Sequence, residues 1–211
     1  MARIKQGILG GLSGKIANVV GSSWKGIAVL KSLPLSVANP NTAAQQAQRG
    51  AMTQIVAAAR ILLAALIQVY WNPFAQQMSG YNDFVKTNIA TFTTAGFTTF
   101  ANFYSTRGSL LGVVVGTLDA DDSDNTITVP WTDNSGTSDA LATDEMVFVV
   151  YNEDKDYWIV DAGNAVRSDA TYDIPDAQMA AGDTVHVYTS TSRPNISKVS
   201  DSVYATATVV A

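Results

Sequence analysis

The stretch Thr126-Ile127-Thr128-Val129-Pro130-Trp131 alternates small or polar residues with large apolar ones. Because successive side chains of a strand point to opposite faces, this pattern predicts a β-strand that directs Ile127, Val129 and Trp131 into a core. A similar alternation returns in Val185-His186-Val187-Tyr188 and predicts a second half-buried strand. We therefore expect β-structure at both ends of the second half of the chain.

Seven such segments are spread over the second half of the chain, and clusters of Asp, Asn, Gly and Ser separate them. The segments are residues 110–118, 126–131, 146–152, 157–161, 170–174, 184–189 and 203–210. Their number and spacing are typical of a β-sandwich of about 100 residues. In such a sandwich His186, flanked by core-facing Val185 and Val187, is expected on the solvent face.

The first half of the chain contains a long apolar helix pattern. Apolar residues recur at steps of three and four, at Ala44, Ala47, Ala51, Ile55, Ala58, Leu62, Leu66 and Val69. This spacing predicts a helix between Asn39-Pro40-Asn41-Thr42 and Asn72-Pro73, and a second helix over residues 81–92. The first helix is apolar nearly all round and needs protein neighbours on several sides. Arg60 lies at the centre of its most apolar stretch, so we expect no membrane span.

The N-terminal segment predicts a small β element. Residues 15–20 and 24–30 are rich in β-branched side chains, and Gly21-Ser22-Ser23 between them favours a hairpin turn. A lone hairpin is only marginally stable in water, so it must pack against another surface. We therefore predict an α+β chain with two domains, a hairpin-and-helix part over residues 1–107 and an all-β sandwich over residues 108–211.

Charge divides the chain at the same place. Residues 1–107 contain nine of the 13 Lys and Arg residues and one of the 18 acids, whereas residues 108–211 contain four cations and 17 acids. The two halves carry +8 and −13, which together make the net charge of −5. A basic end and an acidic end favour head-to-tail contact between copies. Charged residues make up only 15% of the chain, which also favours a component of an assembly.

The sequence contains no complete catalytic motif. Gly11-Leu12-Ser13-Gly14-Lys15 is similar to a phosphate-binding loop, but Leu9 stands where its first glycine belongs and Ile16 replaces the Ser or Thr that binds magnesium. His186 is the only histidine, and no Gly-x-Ser-x-Gly segment accompanies it, so a serine hydrolase is not expected. The acids fall mainly in predicted loops, with no evident cleft. We predict a protein without enzymatic activity and without a cofactor.

One acidic cluster supplies oxygen ligands of the kind that calcium prefers. It consists of Asp119, Asp121, Asp122 and Asp124. The helix-loop-helix setting and the glutamate at loop position twelve are missing from the pattern, so the sequence favours a solvated acidic loop. The four aspartates are weak candidates for a metal site. The chain has no cysteine and therefore neither disulfides nor thiolate ligands.

The second half resembles a fibronectin type III domain. Ile127, Val129 and Trp131 stand where this family places its core tryptophan strand, and residues 174–188 are similar to its leucine, proline, glycine and tyrosine segment. Met179 or the residue after it replaces the usual leucine. The resemblance implies an immunoglobulin-like sandwich, a fold that carries no activity by itself.

The N-terminal block is similar to that of an uncharacterised family of bacterial and bacteriophage proteins. The similarity is carried by GGLSGK at residues 10–15, NVVGSSWKG at residues 18–26 and NPNT at residues 39–42. Together with the order of helices and sandwich, it extends over nearly the whole chain. It implies a non-enzymatic protein that is a component of a virion.

We therefore expect a structural protein of a bacteriophage or prophage virion, made in the bacterial cytoplasm, as a capsid decoration, head-fibre or tail-associated subunit. Its expected partners are copies of itself and other virion proteins, and nine cations over 107 residues are too few to favour nucleic acid. The expected assembly interface comprises Lys15, Trp24, Lys25, Lys31, Arg49, Ile55, Arg60, Leu62 and Leu66. The alternative is a binding or adhesion module of a bacterial surface or secretion system.

Salt tests the role of charge in assembly. Raising the ionic strength from about 0.1 M to about 1 M shortens the screening length from about 10 Å to about 3 Å. If the basic and acidic halves attract each other between copies, self-association weakens over this range. Size-exclusion chromatography with light scattering measures the effect. A protein that is strictly monomeric at low salt would contradict the expectation.

Overall fold

The computed structural model describes residues 3–4, 12–24, 27–34, 36 and 40–211. Contacts divide the chain into two compact units, Met1–Thr42 and Ala43–Ala211. Helices and many antiparallel strands in several sheets confirm an α+β chain.

The first unit contains one antiparallel sheet. Its strands, in spatial order, are β1 Arg3–Ile4, β2 Leu12–Ile16, β3 Val19–Trp24 and β4 Ile27–Ser32. The predicted hairpin turn at Gly21-Ser22-Ser23 is wrong, because these residues lie within β3. The chain turns instead at Ala17-Asn18, where Ala17 adopts a left-handed conformation with φ of 49°. β3 is therefore a central strand, and a sheet replaces the single hairpin.

The second unit begins with the predicted helices. They comprise α1 Ala43–Ile61, a π-helical turn Leu63–Ile67, α2 Gln68–Tyr70 and α3 Gly80–Asn88. The long helix is bent by 70° between Ala43–Ile61 and Leu63–Tyr70. Within the described residues no single helix has the length and apolar character to cross a membrane. The two parts of the bent helix taken together are long and apolar enough.

Ten strands lie between α3 and the C-terminus. They are β5 Phe92–Thr93, β6 Gly96–Phe97, β7 Val114–Val115, β8 Asp119–Asp121, β9 Thr126–Thr132, β10 Glu145–Asn152, β11 Tyr157–Val166, β12 Thr171–Pro175, β13 Thr184–Ser192 and β14 Val203–Thr208. Short 3-10 helices occupy Ile89–Thr91, Phe100–Asn102 and Arg167–Asp169. All seven strands predicted for the second half are present, and β8 is an additional one.

The two larger sheets of the second unit enclose an apolar core. β11, β10, β13 and β14 form one sheet in that order, and β12, β9 and β7 form the other, with β8 also paired to β9. Ile127, Val129 and Trp131 of β9 are buried in this core, as their alternation predicts. They share it with Phe148 of β10 and Val187 of β13.

The helices cover the other face of the sheet that β11, β10, β13 and β14 form. Ile55 and Leu62 share a second core with Val147 and Val149 of β10 and Tyr188 of β13. β10 therefore supplies alternate residues to two cores and is buried on both faces. The helices and these sheets belong to one compact unit, and the boundary between the two units lies before α1. This division differs from the expected boundary between helices and sandwich after residue 107.

Aromatic side chains of residues 91–104 fasten the segment after α3 to the sheet. Phe92 and Phe97, on the two strands of the β5–β6 hairpin, stack with ring centroids 4.8 Å apart. The Phe97 ring also lies 5.2 Å from that of Tyr151 and 5.5 Å from that of Trp158. This segment therefore lies over the end of β10 and the start of β11.

Close packing at the start of α3 leaves no room for a side chain at Gly80. The Gly80 N–H donates to Asn72 Oδ1 at 2.9 Å. A Cβ on Gly80 would lie 2.5 Å from the backbone nitrogen of Asn72. Because the obstructing atom belongs to the backbone, a side-chain rotation cannot relieve the clash.

Gly80→Ala is expected to lower the free energy of unfolding by about 1–3 kcal/mol because of this overpacking. In a helix without such a clash, replacement of glycine by alanine raises stability, so a decrease in stability identifies the clash. Urea unfolding measures it. Gly112→Ala is the matched control, since the nearest atom to its Cβ would be 3.7 Å away. Equal stability of Gly80→Ala and the unsubstituted protein would contradict this packing.

Candidate functional site

One face of the sheet in the first unit is apolar and open to solvent. Ile16 pairs with Val19 and Gly21 with Leu30, and directly paired residues share a face, as do residues two apart on one strand. Ile16, Val19 and Leu30, here termed the apolar face, are 45%, 39% and 66% exposed. Gly21 has no side chain to cover Leu30. A small sheet needs a covered apolar face for stability, so this face is a candidate contact surface.

The opposite face of the same sheet carries two of the predicted interface lysines. Lys15, Val20 and Lys31 are aligned across β2, β3 and β4. Both lysines are exposed, and these three residues are termed the basic row. Trp24 is paired with Ile27 in the register of β3 and β4. Lys25, also predicted at the interface, lies outside the described residues.

The other predicted interface residues lie along the helical segment. Arg49 and Arg60 are exposed on α1, where a partner could reach them. Ile55, Leu62 and Leu66 are fully buried in the core between helices and sheet. Their apolar spacing therefore serves packing within the chain, and on this fold they are out of reach of a second subunit.

A cleft of about 470 Å³ lies in the second unit, where the helices meet the sheet. α1, the β5–β6 hairpin and the adjoining ends of β10 and β11 form its walls. Ile61 on α1 is 60% exposed beside it. Aromatic rings of Phe97 and Trp158 and carboxylates of Glu153 and Asp156 are among its lining groups. This site is termed the acidic cleft.

Hydrogen bonds hold both carboxylates of the acidic cleft in place. The Tyr151 hydroxyl donates to Asp156 Oδ1 at 3.0 Å, and burial together with this bond raises the pKa of Tyr151. Glu153 Oε2 lies 3.1 Å from His186 Nε2. Both carboxylates remain exposed to solvent. None of the described residues that line this cleft is a lysine or arginine, so the cleft favours a cation beside its aromatic rings.

His186 lies on the helix-covered face of β13, so the prediction that it faces solvent is wrong. It is buried, and its ring stacks on that of Phe100 with centroids 3.8 Å apart. His186 Nδ1 lies 2.9 Å from the Tyr204 hydroxyl. A neutral ring with its proton on Nε2 satisfies both polar neighbours, because it donates to Glu153 and accepts from Tyr204. Both ring nitrogens are thus engaged.

The aspartates that are weak candidates for a metal site lie in β8 and the turn after it. Asp119 and Asp121 belong to the strand, and Asp122 and Asp124 to the turn. Hydrogen bonds from the hydroxyl and the backbone N–H of Ser123 lower the pKa of Asp121. Among the residues that the structure describes, no group of three or more acidic or histidine side chains is placed to hold a metal ion.

A buried ionic network has no evident signal in the sequence. Arg167 is fully buried, and its Nε and Nη2 donate to Asp144 Oδ2 at 3.2 Å and 3.0 Å. Arg193 Nη1 donates to Asp144 Oδ1 at 2.6 Å. Lys155 and Lys198 pair with Asp183 and Asp139. All four cations of residues 108–211 are therefore used by acids of the same half, whose surface keeps its negative charge.

Comparison with known proteins gives a family and no activity. A model of a protein family of unknown function matches residues 11–206 of the chain. No curated protein matches the chain. The family match covers most of the first unit and nearly all of the second. Because the function of the family is unknown, the match itself indicates no activity.

Burial of His186 makes stability depend on pH. Desolvation lowers the pKa of this histidine below its usual value of about 6.5. As the pH falls through about 6.5, the unfolded chain binds a proton that the folded protein does not, so the free energy of unfolding decreases. Urea unfolding between about pH 7 and pH 5 measures this slope. His186→Gln should make the slope smaller, and an unchanged slope would contradict the assignment.

Proposed function

Because the chain belongs to the family of unknown function DUF6266, we propose its role from its surfaces: it is a non-enzymatic structural protein of a bacteriophage or prophage virion. In this role it is a capsid decoration, head-fibre or tail-associated subunit. It assembles through its first unit with copies of itself and with other virion proteins.

The exposed apolar face carries this proposal. Ile16, Val19 and Leu30 together present about one and a half side chains of apolar surface to water. Covering that surface contributes about 3 kcal/mol, at about 2 kcal/mol for each fully buried aliphatic side chain. A partner that covers the face therefore stabilises both the sheet and the complex, as expected of an assembly unit.

The fold of the second unit supports a role as a projecting or contacting lobe. We infer that its two sheets form the immunoglobulin-like sandwich that the sequence resembles. Of the seven strands β7 and β9 to β14, the first, second and fifth lie in one sheet, and the third, sixth and seventh lie in the other. Constant-type immunoglobulin domains divide these six strands in the same way, but they place their fourth strand in the first of the two sheets. The remaining strand, β11, pairs with β10.

The acidic cleft favours binding over catalysis. A glycosidase needs one carboxylic acid that apolar surroundings keep protonated. Glu153 and Asp156 are instead exposed to solvent. His186, the only candidate for a histidine base, is buried and is not among the residues that line the cleft. These features support a role without catalysis.

A second candidate function is a binding or adhesion module of a bacterial surface or secretion system. The acidic cleft favours it, because a concave site with aromatic and charged groups suits a peptide or glycan. In this case the cleft would be the primary contact, and the apolar face would serve attachment only. A genomic neighbourhood of outer-membrane transport genes would favour this candidate, and capsid or tail genes the virion role.

Substitutions on the apolar face test the virion role. Ile16→Thr combined with Leu30→Thr introduces β-branched side chains that suit a strand but removes apolar contact area. Self-association and incorporation into particles should therefore fall by about tenfold or more. Sedimentation velocity measures the first effect, and mass spectrometry of purified particles measures the second. Leu141→Thr is the control, because Leu141 is half exposed on the second unit. Unchanged association and unchanged particle content would contradict the proposal.

A further inference from the structure

We propose that the acidic cleft is the binding site for the basic row of a second copy of this chain. The inference depends on the proposed function, since it requires copies to assemble, and it identifies the contact between them. Lys15 and Lys31 of one copy would place their ammonium groups beside Glu153 and Asp156 of the next. Contacts of this kind join the basic part of each copy to the acidic part of its neighbour.

The basic row and the acidic cleft carry complementary charges. In the basic row, two lysines flank Val20 on neighbouring strands of β2, β3 and β4. Since neighbouring strands lie about 4.8 Å apart, the two lysine Cα atoms are about 10 Å apart. The acidic cleft likewise carries two carboxylates beside an aromatic and aliphatic wall. An apolar residue between two cations therefore meets apolar surface beside two anions.

No cation of the acidic half is available to neutralise the cleft. Lys155 lies between Glu153 and Asp156 in sequence, but its Nζ lies 3.0 Å from Asp183 and donates to the Gln178 carbonyl. The other three cations of residues 108–211 are paired with Asp144 or Asp139. A cation from outside residues 108–211 is therefore the occupant that charge favours.

The aromatic groups of the cleft suit a lysine side chain. Trp158 and Phe97 are only partly buried, and their rings are 5.5 Å apart at the centroids. The aliphatic stem of lysine packs on such rings while its ammonium group reaches the neighbouring carboxylates. Tyr151 and His186 already hold those carboxylates in position, so the two carboxylates lose little conformational freedom when a cation binds.

A double-mutant cycle tests the contact. Glu153→Gln with Asp156→Asn removes two charges from the cleft but keeps oxygen acceptors for His186 and Tyr151. Lys15→Gln with Lys31→Gln removes two charges from the basic row. Each pair of substitutions should weaken self-association about tenfold, and combining all four should weaken it little further, because the same contact is lost in each case.

The control removes equal charge elsewhere. Asp119→Asn with Asp124→Asn neutralises two exposed aspartates that do not line the cleft. This variant should associate within about twofold of the unsubstituted protein. If it associates as weakly as the cleft variant, net charge and not the cleft controls association, and the proposal is overturned.

Chemical cross-linking identifies the contact directly. A carbodiimide joins an amine to a carboxylate that touches it, with loss of one water. In an equal mixture of ¹⁴N-labelled and ¹⁵N-labelled full-length protein, amide bonds from Lys15 or Lys31 to Glu153 or Asp156 should appear with mixed isotopes. Cross-links within single molecules only, or none at these carboxylates, would overturn the proposal.

The outcomes separate this inference from the proposed function. If the apolar-face variant loses association while the cleft variant and the basic-row variant retain it, the virion role stands and the cleft contact is wrong. If the effects of the two charge variants simply add, the two sites do not touch and the contact is wrong. If an oligosaccharide occupies the cleft, quenches Trp158 fluorescence and leaves self-association unchanged, the occupant is a glycan and the proposal is overturned.

Discussion

Burial of both faces of β10 and β13 is the constraint on which the second unit depends. Met146, Phe148 and Val150 of β10 pack between the two sheets, whereas Val147 and Val149 pack against the helices. Full burial of each such side chain contributes about 1.5–3 kcal/mol. The helices are therefore a structural layer of this unit, and the sheet would expose an apolar face without them.

The same helix layer creates the acidic cleft. α1 and the β5–β6 hairpin lie over one end of the four-stranded sheet, and Phe97 joins the hairpin to Tyr151 and Trp158. The layer also buries His186, which in turn holds Glu153 at the edge of the cleft. The first unit contributes surfaces of a different kind, because its sheet leaves apolar side chains and lysines exposed. Together these features support the proposed role in contacts between copies.

Local sequence patterns predict the strands and helices but not their layering. Alternation places Ile127, Val129 and Trp131 correctly, because a strand with one polar face has a clear period. The uninterrupted apolar run at residues 146–151 indicates a strand buried on both faces. The reversal of charge favours a boundary after residue 107, whereas contacts divide the chain after Thr42. Charge reports on the surface and carries no information on apolar contacts beneath it. The cleft has no local signal, since its lining residues extend in sequence from Gln54 to Trp158.

The most direct test of the account compares the stability of two fragments, residues 43–211 and residues 108–211. Urea unfolding, with hydrogen exchange of the β10 and β13 amides, measures both. We expect the longer fragment to unfold in one cooperative transition with strong protection of these amides. The shorter fragment should lose that protection or aggregate, because the face around Tyr188 is uncovered. Equal stability and equal protection in the two fragments would contradict the claim that the helices complete the core.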